Sequence, residues 1–151
     1  MSSEKIALGA DHAGFRLKEQ LRDYLNNKGY SVEDLGTHSD ESADYPDFAA
    51  QVSRQVAEGK ARFGVLVCGS GLGMAMAANK IPGIRAATCT DTVAASLSRA
   101  HNNANVLALG GRLLDEPTAR SILDVWLSTP FEGGRHEKRI TKIHKLENSP
   151  T

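Results

Sequence analysis

The sequence predicts an α/β domain of three layers, a five-stranded parallel sheet with helices on both faces. Two observations carry this. Short apolar runs alternate along the chain with segments whose apolar residues fall at helical spacing. The run Val65-Leu66-Val67-Cys68 is apolar at every position, as a strand covered on both faces must be. At 151 residues the chain suits one domain, 1–151, long enough to bury roughly 70% of its unfolded surface.

The elements follow in order. Lys5–Gly9 is expected as the first strand, ended by Ala10-Asp11-His12-Ala13-Gly14. Phe15, Leu17, Leu21, Tyr24 and Leu25 then carry helical spacing, and Asn26-Asn27-Lys28-Gly29 supplies a stop. Tyr30–Leu35 reads as the second strand, followed by a polar loop from Gly36 to Pro46 and a helix from about Pro46 to Glu58. The third strand ends at Cys68, and the helix behind it runs to about Lys80, before Pro82-Gly83. Ile84–Cys89 is expected as a fourth strand, Asp91–His101 as a helix and Val106–Leu109 as a fifth strand. Two more helices fit roughly Glu116–Leu127 and Gly134–Lys145. No repeat, low-complexity tract or linker divides the chain.

Charge and composition exclude several functions. Eighteen basic and eighteen acidic residues cancel, so the chain has no basic footprint for nucleic acid or an anionic membrane. No apolar stretch approaches the roughly 18 residues of a membrane span, and the residues around Lys5 do not form a signal-peptide core. Two cysteines are no disulfide framework, which points to a reducing cytoplasm.

The chemistry concentrates where Cys68 runs into Gly69-Ser70-Gly71-Leu72-Gly73 and an Ala-rich helix. Glycines let backbone N–H groups approach a ligand, and a helix amino terminus favours negative charge. The same field favours thiolate over thiol. A base and an anion hole would then share one loop, which suits an oxyanionic intermediate. The bland alternative is a tight turn with a buried cysteine acting as a small hydrophobe. The loop is none of the named phosphate loops. Met74 stands where a dinucleotide fingerprint needs its third glycine and where a cysteine phosphatase needs its arginine, and no Gly-Lys-Ser/Thr follows.

In parallel α/β sheets ligands sit beyond the strand carboxyl ends. Those ends carry Asp11 and His12, Cys68, Asp91, and Gly110-Gly111-Arg112. The order 2-1-3-4-5, Rossmann-like in the flavodoxin manner, would gather Asp11, His12 and Cys68 around one crevice. An Asp after a strand is often only a helix cap. Two further clusters lie apart. His101-Asn102 closes the fourth helix, where the dipole favours a cation. Arg135 and Arg139 stand i,i+4 at the start of the last helix, which suits a phosphate dianion or, more simply, a solvated face.

These motifs resemble the ribose-5-phosphate isomerase B family, which includes galactose-6-phosphate and allose-6-phosphate isomerases. The matching stretches are Gly9 to Phe15, Asp44-Tyr45-Pro46, Cys68 to Gly73, Ala77-Ala78-Asn79-Lys80, Gly83-Ile84-Arg85-Ala86, His101-Asn102 with Asn105-Val106-Leu107, and Glu132 to His136 with Arg139. They span nearly the whole chain in the family's order.

The resemblance implies an aldose–ketose isomerase of the pentose phosphate pathway, interconverting ribose 5-phosphate and ribulose 5-phosphate through a cis-enediolate. Cys68 matches the family's thiol base, and Gly69, Ser70, Gly71, Leu72 and Gly73 match its anion hole. His101 matches the acid–base residue of ring opening. Asp11, His12, Tyr45 and Asn102 match sugar-contacting positions, and Arg112, Arg135 and Arg139 the phosphate end. Members that use a glutamate base carry it at the position of Met74, which cannot take a proton.

The same resemblance implies a homodimer, possibly a dimer of dimers, with shared sites completed by the helix at about 134–145. No cofactor and no metal are expected, since the histidines lack ligand spacing. Three alternatives stand beside this reading. One is a six-carbon sugar-phosphate substrate, and another is a noncatalytic phosphate- or nucleotide-binding module. The third is a redox pair of Cys68 with Cys89, were their strands neighbours about 4.8 Å apart.

Overall fold

The protein is described here as a computed structural model covering residues 4–148. Its strands are β1 (Lys5–Ala10), β2 (Ser31–Asp34), β3 (Phe63–Cys68), β4 (Ala86–Thr88) and β5 (Val106–Gly110). Its α-helices are α1 (Phe15–Asn27), α2 (Tyr45–Ala57), α3 (Leu72–Ala78), α4 (Thr92–Ala100), α5 (Glu116–Ser128) and α6 (Arg135–Lys145), the last continued by a 3₁₀ turn at Leu146–Asn148.

The strands are parallel, and alternate residues feed two separate cores. Ile6, Leu8, Val65, Val67, Leu107 and Leu109 point to α1, α4 and α5, where they meet Leu17, Leu21, Ala95, Ile122 and Trp126. Ala7, Leu66, Cys68, Val106 and Ala108 point the other way, to Val52 and Val56 of α2 and Met74 and Ala78 of α3. Every residue of β3 and β5 is buried, so both strands are covered on both faces. Each fully buried Leu, Ile or Val contributes about 1.5–3 kcal/mol by leaving water.

The sheet order is β2-β1-β3-β5-β4, so the last two strands are exchanged relative to the expected 2-1-3-4-5. The reason is legible in the residues. Val106–Gly110 is buried throughout and takes an interior position, whereas Ala86–Thr88 is only half-buried and forms the edge. One consequence corrects the redox alternative. β5 lies between the strands that lead to Cys68 and Cys89, and both cysteines are free thiols. Cys89 bonds Ser98 instead, and burial raises its pKa, the mark of an inert thiol.

Helix ends agree with their chemistry. The Asp91 side chain accepts from Ala94 N–H at 2.7 Å, and that of Asp115 from Thr118 N–H at 2.9 Å. Asp91 is therefore a cap of α4. Helix α3 ends at Ala78, two residues short of the expected boundary, and Asn79 turns aside to bond Ala86. No helix among the described residues is long and apolar enough to cross a membrane.

Candidate active site at the two ends of the sheet

At the carboxyl end, a cavity of about 460 Å³ is lined by Asp11, Tyr45, Cys68, Gly69, Ser70, Gly73, Arg112 and Leu113. β1, β3 and β5 lie side by side, so the loops after them close on one another. Gly111 N–H donates to Cys68 C=O at 2.7 Å, and Arg112 N–H donates to Gly69 C=O at 3.0 Å. The Asp11 carboxylate accepts from Ala13 and Gly14 N–H, so it is held rigidly while lining the cavity. His12 accepts through Nδ1 from Ala43 N–H at 3.1 Å and anchors the polar loop before α2.

The thiol sits inside the glycine loop. Cys68 is 5% exposed, and Gly71 N–H donates to its Sγ at 3.2 Å. Gly71 has φ +80, and a Cβ there would lie 3.0 Å from the Leu109 carbonyl carbon, so glycine is required twice over. A Cβ on Gly73 would lie 2.5 Å from the Tyr45 ring, which rests directly on the loop. With seven residues, α3 has little macrodipole, and the electrostatics come from its orphan first N–H groups. Thr88 Oγ1 donates to Gly71 C=O at 2.8 Å and fixes the loop from the edge strand.

The remaining expected site residues lie elsewhere. Helix α4 runs back from Asp91, so His101 and Asn102 sit at the amino end of the sheet, beside Arg85 and Asn105. Cys68 is level with Gly110 and Gly64 with Val106, so the two ends are about 13 Å apart by four strand rises. His12 and His101 therefore do not meet within one chain.

At this amino end the His101 and His136 rings stack at 4.3 Å with 14° between planes, and Glu132 Oε1 lies 3.5 Å from His101 Nε2. Arg135 and Arg139 project, exposed, from the first turns of α6. His101, Glu132 and His136 bring their donor atoms within 4.8 Å of one another, a set that suits a metal by type. Near-parallel rings, however, aim their lone pairs side by side instead of converging. Desolvation, then the charges of His101 and Arg135, hold the His136 imidazole below the ordinary histidine range, with Glu132 opposing.

Glu132, His136 and Thr88 acquire site positions that sequence reasoning had not assigned individually. Glu132 and His136 stand i,i+4 across the start of a helix, a visible spacing, but their partner at His101 is distant in the chain. Thr88 carries no such signal.

The comparisons with known proteins are consistent with this geometry. Residues 6–143 match the family model described as Ribose/Galactose Isomerase. The chain is 46% identical to ribose-5-phosphate isomerase B of Escherichia coli, across 95% of this chain and 97% of that one. The Thermotoga maritima ribose 5-phosphate isomerase structure superposes with TM-score 0.93 at 53% identity, covering 95% of this chain and 99% of that one. Ribose-5-phosphate isomerase B of Mycoplasma genitalium, solved with bound ribulose-5-phosphate, superposes with TM-score 0.94 at 40% identity, covering 99% and 100%. On these matches the chain belongs to the ribose/galactose isomerase family.

Proposed function

We propose that the protein interconverts ribose 5-phosphate and ribulose 5-phosphate, with Cys68 as the base, in a site assembled from two copies of the chain. The observation that carries this is a thiol held inside a backbone anion hole, Gly71 N–H on Cys68 Sγ. Proton abstraction beside a carbonyl needs a base and fixed donors for the oxyanion, and such donors are usually a large catalytic term. The relative solved with ribulose-5-phosphate supports the substrate.

The steps divide between the two ends of the sheet. His101 of one copy moves the proton that opens the furanose, giving the open-chain aldehyde. Cys68 of the other copy takes the C2 proton. The electron pair becomes a cis-enediolate whose charge rests on the loop Gly69–Gly73, with the Ser70 hydroxyl beside it. A proton then passes from O2 to O1, and returning the abstracted proton to C1 gives the ketose, with a carbonyl at C2 and a hydroxyl at C1. Asp11, His12, Tyr45 and Asn102 hold the sugar, and Arg112, Arg135 and Arg139 take the phosphate. A sugar phosphate is too short to reach both ends of one sheet, about 13 Å apart. That distance is the reason for assigning a dimer. The free thiols suit a reducing cytoplasm.

A coupled assay offering ribose 5-phosphate, allose 6-phosphate and galactose 6-phosphate tests the reading. Ribose 5-phosphate should be turned over fastest. Preference for a six-carbon substrate would move the substrate class. Binding of all three without turnover would make the protein a phosphate-binding module.

A further inference from the structure

Helix α6 is exposed along most of its length, and among its described residues only His136 is buried. His136 stacks on the face of the His101 ring. The loop before it is tied to the same place, since Glu132 N–H donates to Ala100 C=O at 3.0 Å, in the last turn of α4. One imidazole face of His101 is thus covered, while the ring's side chain remains 38% exposed on its other sides.

We infer that His136 and Glu132 are positioning residues for His101: the His136 ring fixes the His101 plane by stacking, and the Glu132 carboxylate draws the proton to Nε2, which leaves Nδ1 for the substrate. The inference rests on the ring-opening role assigned to His101 above. Two stacked imidazoles tolerate only one positive charge between them. The groups facing the pair are Glu132 from the loop and Arg135 and Arg139 from α6, and burial with those cations keeps His136 the neutral member. The His136 ring then presents an uncharged plate to His101. The Glu132 oxygen faces Nε2 at 3.5 Å, so the carboxylate's field favours a proton on Nε2 already at rest, and a small side-chain rotation shortens the contact to a hydrogen bond.

The simpler alternative is that the stack only staples α6 to the chain. The split between KM and kcat in His136→Ala separates the two, and His136→Phe, which keeps a flat ring in the same place, tests whether the ring plane is what His101 needs. A staple alone would change KM through Arg135 and Arg139, and would leave the balance between substrates untouched. Positioning makes His136→Ala lower kcat from cyclic ribose 5-phosphate by about tenfold, while solvent deuterium exchange into ribulose 5-phosphate changes by less than about twofold. His136→Phe should restore most of that kcat. Equal losses in both reactions, or a phenylalanine variant no better than alanine, would overturn the assignment.

A second readout needs no turnover. Nitrogen NMR of the substrate-free protein should show His101 as the Nε2–H tautomer, and Glu132→Gln should mix the two tautomers. An Nδ1–H tautomer in the unaltered protein would refute the positioning, whatever reaction the enzyme catalyses.

Discussion

At the carboxyl end of the sheet, a 5%-exposed thiol, a carboxylate fixed by two N–H groups and a glycine loop are locked together by hydrogen bonds within one chain. At the amino end, an imidazole, an asparagine and two arginines project from helix termini, and one stacked ring and a few polar contacts hold α6 in place. The first region is preorganised by backbone, which needs no reorganisation as charge develops. The second is made of long side chains whose ordering must be completed by something else, in the proposed site a second copy. On the proposed function, proton abstraction and charge stabilisation fall to the rigid half, and ring opening and phosphate capture to the adaptable half.

Substitutions at the two ends should therefore fail differently. The largest effect is expected at the rigid end. Cys68→Ala should lower turnover by about 10³-fold or more while phosphate binding and melting temperature stay nearly unchanged, since the anion hole is backbone. Iodoacetamide should inactivate the unaltered protein, and bound sugar phosphate should slow that loss. Near-normal turnover in Cys68→Ala would transfer the base to another group.

Next comes the adaptable end. Arg135→Ala or Arg139→Ala removes charge-assisted hydrogen bonds to a dianion and should lower kcat/KM about tenfold to hundredfold. Both side chains are exposed, so stability should move by less than about 0.5 kcal/mol. Unchanged kinetics would reduce the arginines to a solvated face.

Acid should produce the smallest effect and should reach the two ends in separate windows. His136 is depressed in the fold, so its contribution is present above the unfolded value of about 6.5 and is lost as pH falls through the folded one. At the other end, burial opposes the Asp34 carboxylate, but the Lys18 hydrogen bond and the Gly36 N–H overcome it and hold Asp34 below the usual range. Lys18 Nζ lies 2.7 Å from it and is fully buried. That contribution is present above about 3.9 and is lost only below it. Hydrogen exchange should show α6 loosening first, with β1 and β3 protected to lower pH. Simultaneous loss would mean that the ends are not independent.

The sequence made the rigid half readable and the adaptable half only partly so. Cys68, its glycine loop and Asp11 follow strands whose apolar runs are unmistakable, and adjacency of β1 and β3 brings them together, whereas Arg112 joins them because β5 lies next to β3. Chain order does not reveal the exchange of β4 and β5, although Ala86–Thr88 is the weaker, half-buried strand. Chain order alone also sets Cys68 beside Cys89, which the observed order separates by β5. His101, Asn102, Arg135 and Arg139 were identified by type and by family motif. Their distance from Cys68 depends on α4 running back to the amino end of the sheet, a tertiary feature that no local pattern encodes. The stack of His101 on His136 joins residues 35 apart in sequence, and no local periodicity reports it.

Subunit complementation tests the shared site most directly. Cys68→Ala and His101→Asn, each inactive alone on cyclic ribose 5-phosphate, are unfolded together in equal amounts and refolded. If each site takes Cys68 from one copy and His101 from the other, a mixed dimer holds one doubly altered site and one intact site. Half of the dimers are mixed, so about a quarter of the original activity should return. A mixture as inactive as its components would place Cys68 and His101 in separate reactions or in the same chain, and the shared site would be wrong.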